Sequence, residues 1–312
     1  MSDLGTAVDE YLAVRRALGF GLRDAGRRLR QFAAFAQGEG ALFITTALAL
    51  RWAQQSDLAS SNACSVRLSA LRLFARWRAA ADPRTEVPPD GLLPYRYRRK
   101  SPYVYARADV GRLIAAARRL SSPRGLRART FSTLIALHAV TGLRTSESLA
   151  LDRGDVDLKR ALLFVRRTKF GKSRWVPVHA TTARALARYA HDRDRVHPRP
   201  QTPAFFLSEQ GKRVLKRAMQ QTFRKVTQDA GLLPRANGRQ PRIHDFRHGF
   251  AIATVVRWYR AGADVEQHLP RLSTYLGHTD IRHTYWYLSA TPELLHWAAR
   301  RADAPARRRT SQ

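Results

Sequence analysis

The chain has 312 residues, 44% of them hydrophobic, and a single cysteine, Cys64. One thiol excludes an internal disulfide framework and a cysteine-based zinc site, and no run of about 18 uncharged apolar residues is present to cross a membrane. Fifty-six basic residues against 24 acidic give a net charge of +32, which demands a polyanionic partner, and nucleic acid is the one expected.

Only seven of the 56 basic residues are lysines. A GC-rich coding bias explains arginine in place of lysine, but not the net charge. The opening MSDLGTAVDE is acidic and polar and has no signal-peptide character, so a cytoplasmic, nucleoid-associated protein is expected. Cys64 reads as a small buried hydrophobe.

Residues 1–82 read as a domain of four helices, in AVDEYLAVRRALG, LRDAGRRLRQFAAFAQ, TALALRWAQQ and ACSVRLSALRLFARWRAA, each with apolar residues at three-to-four spacing. Gly19, Gly38, Gly40 and the Ser/Asn run at 60–62 punctuate them. The opposite faces are almost purely basic. Arg15, Arg16, Arg27, Arg28, Arg67 and Arg72 are the expected contacts to a DNA backbone, an ordinary solvated face being the alternative. Residues 83–102, PRTEVPPDGLLPYRYRRKSP, have no helical period and read as a basic interdomain linker.

A second, larger domain is expected over 103–300, followed by a basic tail, 301–312. Its helices are predicted at 107–120, 127–141, 146–151, 180–191, 213–230, 244–261, 266–277 and 280–300. Between them, ALLFVRRTKFGKSRWVPV (161–178) changes period. Two β-rich runs flank Gly171, which predicts a hairpin with Lys169 and Lys172 near its tip. The expected fold class is therefore mainly α with a small β-hairpin or sheet (α+β).

Four separated features carry candidate chemistry. In TGLRTSESLAL (141–151), Gly142 permits a sharp turn and Arg144 then starts a helix, an arrangement that favours an anion. A lysine on the hairpin, Lys169, can reach a phosphate or a leaving oxygen. In RIHDFRHGFA (242–251), His244 and Arg247 are three apart and share a helix face, pairing a proton-transfer group with a fork of donors. His244 and His248 have the spacing of a zinc pair, but Asp245 replaces the expected Glu and Arg247 puts a positive charge where the cation would sit, so no metal is expected. Finally, LGHTDIRHTYWYL (276–288) places His278 after a glycine and Tyr287 nine residues on.

The order Arg, hairpin Lys, His-x-x-Arg, Leu-Gly-His, Tyr, carried by TGLRTSE, TKFGKSRWVPV, HDFRHGFA and YLGHTDIRHTYWY, resembles the catalytic set of the tyrosine recombinase (phage integrase-like) family, and the wording HTYWYLSATPELL resembles members carried by mobile elements. The resemblance covers about residues 106–290, and residues 1–82 suit that family's core-binding domain. It implies that Arg144 and Arg247 hold the scissile phosphate and offset the charge of its transition state. It likewise implies that Lys169 protonates the departing 5′ oxygen, that His244 assists proton transfer, and that His278 is a third phosphate ligand. Tyr287 is then the nucleophile that forms a 3′-phosphotyrosine, and Glu147 an acidic neighbour of the first arginine, an exposed first-turn carboxylate being its alternative. A phosphotyrosyl ester keeps the energy of the bond it replaces, so no cofactor is expected, in keeping with a sequence that holds no P-loop.

The resemblance also implies double-stranded DNA as partner and a homotetramer on it. The apolar face of Leu294, Leu295, Trp297 and Ala298 would exchange between protomers, with packing in cis as the alternative. No separate arm-site domain stands ahead of the helical region, so accessory-site binding is not expected. A type IB topoisomerase-like relaxing enzyme and a catalytically silent DNA-binding protein are the competing functions. Residues two apart on a helix point roughly 200° apart, so Tyr285 and Tyr287 cannot both face one phosphate. The nine-residue interval from His278, matched to the family, implies that Tyr287 is the nucleophile and that Tyr285 and Trp286 pack and hold the helix.

Overall fold

The structure is a computed structural model that describes residues 3–55, 61–95, 102–166, 172–234 and 240–289, together with Leu294, His296 and Ala299. It divides between residues 100 and 101 into two compact units.

The first unit holds α1 (Leu4–Ala17), α2 (Arg23–Gly38), α3 (Thr46–Gln54) and α4 (Ser61–Ala79). Asp3 caps α1 by accepting the Thr6 N–H at 2.7 Å, and Thr45 caps α3 by accepting that of Leu48 at 3.1 Å. Each helix turns one apolar stripe inward, so that Val8, Leu12, Leu29, Phe32, Trp52, Leu71 and Phe74 form one core.

The expected linker departs from its reading over residues 83–95, which fold back onto this unit. Val87 and Leu93 pack against its core. The Glu86 N–H donates to Ile44 O at 2.8 Å, and the Glu86 carboxylate accepts from Thr46 N at 2.7 Å. Two apolar residues and one capping carboxylate thus anchor a stretch that its prolines and charges had marked as free.

The second unit begins with α5 (Arg107–Arg118), α6 (Leu126–Thr141) and α7 (Thr145–Ala150), then a 3-10 turn at Arg153–Asp155. Strands β1 (Val156–Asp157), β2 (Leu162–Val165) and β3 (Arg174–Pro177) form an antiparallel sheet in that order. It continues with α8 (Ala180–Val196), α9 (Lys216–Asp229), α10 (Asp245–Arg260), α11 (Val265–Leu276) and α12 (Arg282–Tyr285). α6 is apolar on nearly every side and runs through the main core, burying its Leu134 and Ile135 in a cluster that also holds Phe205 and Phe206. A second core lies between α10 and α11, built on Val255, Leu269 and Leu272, and it includes Tyr287.

The strand register turns one charged side chain, Arg174, to the core side of the sheet. Leu163 pairs with Val176, Phe164 with Trp175 and Val165 with Arg174. Alternation turns Leu163, Val165 and Val176 to the core, and Arg174 with them, while Phe164 and Trp175 contact each other on the opposite face with ring centroids 4.6 Å apart. The hairpin tip with Lys169 lies outside the described residues, and Lys172 is exposed at its base.

Over residues 281–289 the helix expected over 280–300 is the four-residue α12 followed by a 3-10 turn at Trp286–Ser289; Leu294, His296 and Ala299 are helical, and the rest of the expected span lies outside the described residues. At the start of α12 the Asp280 carboxylate accepts the Arg282 N–H at 2.9 Å. Among the described residues no helix is long and apolar enough to cross a membrane.

Candidate active site

The first part of the site is the turn between α6 and α7. Gly142 ends α6 with φ +62°, and a Cβ there would lie 2.9 Å from the Phe250 ring, so glycine is required by both conformation and space. Beneath the turn sits His138, 1% exposed. Its Nδ1 is 3.0 Å from Leu143 O and its Nε2 is 3.0 Å from Ser148 Oγ. A carbonyl only accepts, so Nδ1 carries the proton, and Nε2 faces the Ser148 hydroxyl, whose oxygen also lies 3.1 Å from Thr145 O. Burial lowers the His138 pKa to about 4 and keeps the ring neutral.

This turn delivers Arg144 to the C-terminal end of α11, where three guanidinium groups meet three consecutive carbonyls. Arg174 Nε donates to Tyr275 O at 2.7 Å, Arg247 Nη2 to Leu276 O at 2.6 Å, and Arg144 Nη2 to Gly277 O at 3.0 Å. Terminal carbonyls of a helix lack partners within it and carry its negative dipole end, which suits cations there. Arg247 also donates Nη1–H to Gly142 O at 3.1 Å, tying the α6–α7 turn to α11.

Glu147 locks the arrangement. It accepts from Arg144 Nη1 at 2.8 Å, from the Arg144 backbone N–H at 3.0 Å, and from both terminal nitrogens of Arg174 at 3.2 and 3.0 Å. Burial raises its pKa, but the hydrogen bonds and charge of Arg174, and then the hydrogen bonds of Arg144, outweigh that and leave it below the ordinary value. At 6% exposed, Glu147 is no surface carboxylate.

One carboxylate faces three arginines, so the cluster has an excess of positive charge. Burial, and then the charge of Arg144, lowers the Arg247 pKa to about 10. A guanidinium has five N–H groups. Arg247 gives two of them to the carbonyls named, which leaves donors for a ligand. This charge balance favours an anion as ligand.

The N-terminus of α10 and the residues after α11 complete the site. Asp245 is buried and spends its carboxylate on the Arg242 N–H at 3.1 Å, which fixes the turn that presents His244 and Arg247. His244 is exposed at the rim, its ring centroid 5.0 Å from that of His248. His248 Nδ1 in turn lies 3.2 Å from the Tyr287 hydroxyl. His278 follows Gly277, whose φ is +68°. The His278 ring stacks on that of Tyr287 at 6.2 Å, and its Nδ1 is 2.7 Å from Thr284 Oγ1. Burial first, then the charges of Arg247 and Arg144, lowers the His278 pKa to about 3.

Arg144, Glu147, Arg247, His278 and Tyr287 are thus brought to one place, with His244 at its edge. The tyrosine expectation is corrected in one respect: Tyr285 is 43% exposed, whereas Tyr287 is 2% exposed in the core between α10 and α11. The two rings do point apart, but Tyr287 and Trp286 do the packing.

The basic residues of the first unit divide. Arg16 and Arg27 are exposed, Arg27 pairing with Asp24, whereas Arg15, Arg28 and Arg67 are part-buried. Arg15 lies over the Phe20 ring and Arg67 near that of Trp52. Arg72 is corrected from a surface contact to a tether. It is 9% exposed, donates to Pro88 O and Pro89 O at 2.7 Å each, and pairs with Asp90.

His138, Arg174, His248 and Thr284 belong to the site without having been singled out for it in the sequence. For Arg174 the signal was available: an arginine at a core-facing position of RWVP needs a buried partner. For His248 it was read as metal spacing and set aside.

With this geometry in hand, comparison with known proteins gives consistent results. The model described as "Phage integrase family" matches residues 105–293. A putative integrase/recombinase of Sinorhizobium fredii is 45% identical over 308 residues, spanning 97% of this chain and 98% of its own. The tyrosine recombinase XerC of Chlamydia caviae is 31% identical, over 73% of this chain and 67% of its own. Among solved structures, a lambda integrase tetramer bound to a Holliday junction superposes with a TM-score of 0.64 at 15% identity, covering 92% of this chain and 77% of that one.

Proposed function

The chain belongs to the phage integrase family, and from that premise we propose that it is a site-specific DNA recombinase that cuts and rejoins strands through Tyr287. The tyrosine oxygen attacks the scissile phosphorus. The bond to tyrosine forms as the bond to the 5′ oxygen breaks, giving a 3′-phosphotyrosine and a 5′-hydroxyl. Attack by a 5′-hydroxyl from a second duplex reverses the step, and the ester conserves the bond energy, so no nucleotide is consumed. The free N–H groups of Arg144 and Arg247, with His278, receive the non-bridging oxygens as their charge grows. Lys169 protonates the departing oxygen. The proton of Tyr287 is taken by the histidine pair, His248 being nearest, with exposed His244 beyond it.

The observation that carries this reading is the convergence, on one end of α11, of an anion-binding arginine cluster and a tyrosine hydroxyl already hydrogen-bonded to histidine. We further read the assembly as four copies on two duplexes, with residues 290–312 exchanged between neighbours. The lambda integrase tetramer supports this by fold only.

The deciding experiment uses a nicked suicide substrate carrying the protein's site, recovered by sequencing covalently trapped DNA. Wild-type protein and Tyr285→Phe should form a covalent adduct, and Tyr287→Phe should form none. Adducts in Tyr287→Phe, or relaxation of supercoiled DNA without dependence on a site, would overturn the proposal.

A further inference from the structure

His278 is a neutral ring beside a cationic cluster, and a neutral imidazole has one N–H to give. Which nitrogen bears it decides whether the ring helps an oxyanion or repels it. We propose that the Thr284 hydroxyl is a positioning group that fixes His278 as the Nε2–H tautomer, directing its single donor to the scissile phosphate. This rests on the function proposed above, because the phosphate is the ligand the donor serves.

After Gly277 the chain folds back within six residues. The Thr284 N–H donates to Ile281 O at 2.7 Å, and that of His283 to Asp280 O at 3.1 Å. This return places Thr284 Oγ1 2.7 Å from His278 Nδ1. Thr284 is 0% exposed, and among the described residues Nδ1 is the partner of its hydroxyl.

Two assignments are possible. In one, threonine donates to Nδ1, Nε2 bears the proton, and both polar groups are satisfied. In the other, Nδ1–H donates to threonine, a wholly buried O–H is left without an acceptor, and a lone pair on Nε2 faces the phosphate. Burial penalises the unused donor, and a bound phosphate, being negative, would penalise the lone pair as well, so the first assignment holds. Burial and the neighbouring arginines lower the His278 pKa to about 3, which removes the doubly protonated ring as an escape.

His138 gives an internal contrast. Its Nδ1 faces a carbonyl, and it is therefore fixed as the opposite tautomer.

The test uses full-length protein labelled with nitrogen-15 at histidine. Two-bond proton–nitrogen correlation reads the tautomers, and His278→Gln identifies the His278 signals by their loss. Wild type should show His278 with its proton on Nε2. Thr284→Val should show a tautomer mixture and form adducts roughly ten- to a hundredfold more slowly, a partial loss of one oxyanion donor, while Thr284→Ser should retain the wild-type tautomer and rate. In a His278→Gln background, Thr284→Val should change the residual rate by less than about twofold, since a group acting through His278 has nothing left to act on. Nδ1–H in wild type, or an equal loss in both backgrounds, overturns the proposal. Absence of any wild-type adduct would instead strike the proposed function, and the spectra would still decide the Thr284–His278 relationship.

Discussion

The Nδ1 atom of His248 stands 3.2 Å from the hydroxyl of Tyr287, one helical turn beyond His244, the histidine that motif order had put forward for proton transfer. A base must reach the proton it takes, and in the unbound protein His248 does. His248→Phe is expected to slow adduct formation by roughly 10²–10⁴-fold with DNA affinity unchanged, measured on nicked substrate against a binding titration. A wild-type rate would return the role to His244.

Arg144 divides its N–H groups among Glu147, Gly277 O and whatever anion enters. An ammonium group cannot reproduce that fork. Arg144→Lys should bind DNA with an affinity within a few-fold of wild type and cleave it at least about 100-fold more slowly. Cleavage at the wild-type rate would remove Arg144 from the chemistry.

Gly277 is constrained twice. Its φ is +68°, and a Cβ would fall 2.7 Å from Arg174 Nη1. Gly277→Ala should therefore cost about 1–2 kcal/mol from backbone conformation and also displace Arg174 from Glu147. The midpoint of urea unfolding reads the first effect and the adduct rate the second. An unchanged midpoint would mean that the turn relaxes freely.

Acid should weaken the second unit through His138. Its pKa is 6.5 in an exposed chain and about 4 when folded, so between these values the unfolded chain binds a proton that the folded one refuses. Stability is then fully present above pH 6.5 and falls as pH drops towards 4. The full loss is about 3 kcal/mol, and about 2 kcal/mol of it is expected by pH 5. His138→Gln, which can still donate to Leu143 O, should flatten the pH dependence of the urea midpoint. Parallel curves would show that other groups dominate.

Much of the fold was legible because its causes are local. The α6–α7 turn followed from Gly142 between two apolar periods, and the hairpin from a change of period around Gly171. What was not legible depends on partners distant in sequence. Arg174 becomes a site residue only when strand register turns it inward and Glu147, 27 residues earlier, receives it. Arg72 carries the same charge as its exposed neighbours, and only the folded-back prolines distinguish it. The tyrosines show the limit from another side. Helical spacing separated Tyr285 from Tyr287, but which of them faced the interior was set by the packing of α10 against α11.

The consecutive carbonyls at the end of α11 have a mechanical consequence. Because Arg247 is fastened to Leu276 O and Arg144 to Gly277 O, the gap between the two guanidinium groups is gauged by a single peptide unit. Tilting α11 therefore carries both arginines together, re-aiming the pair while keeping their bite. Such a site is tuned by direction rather than by grip.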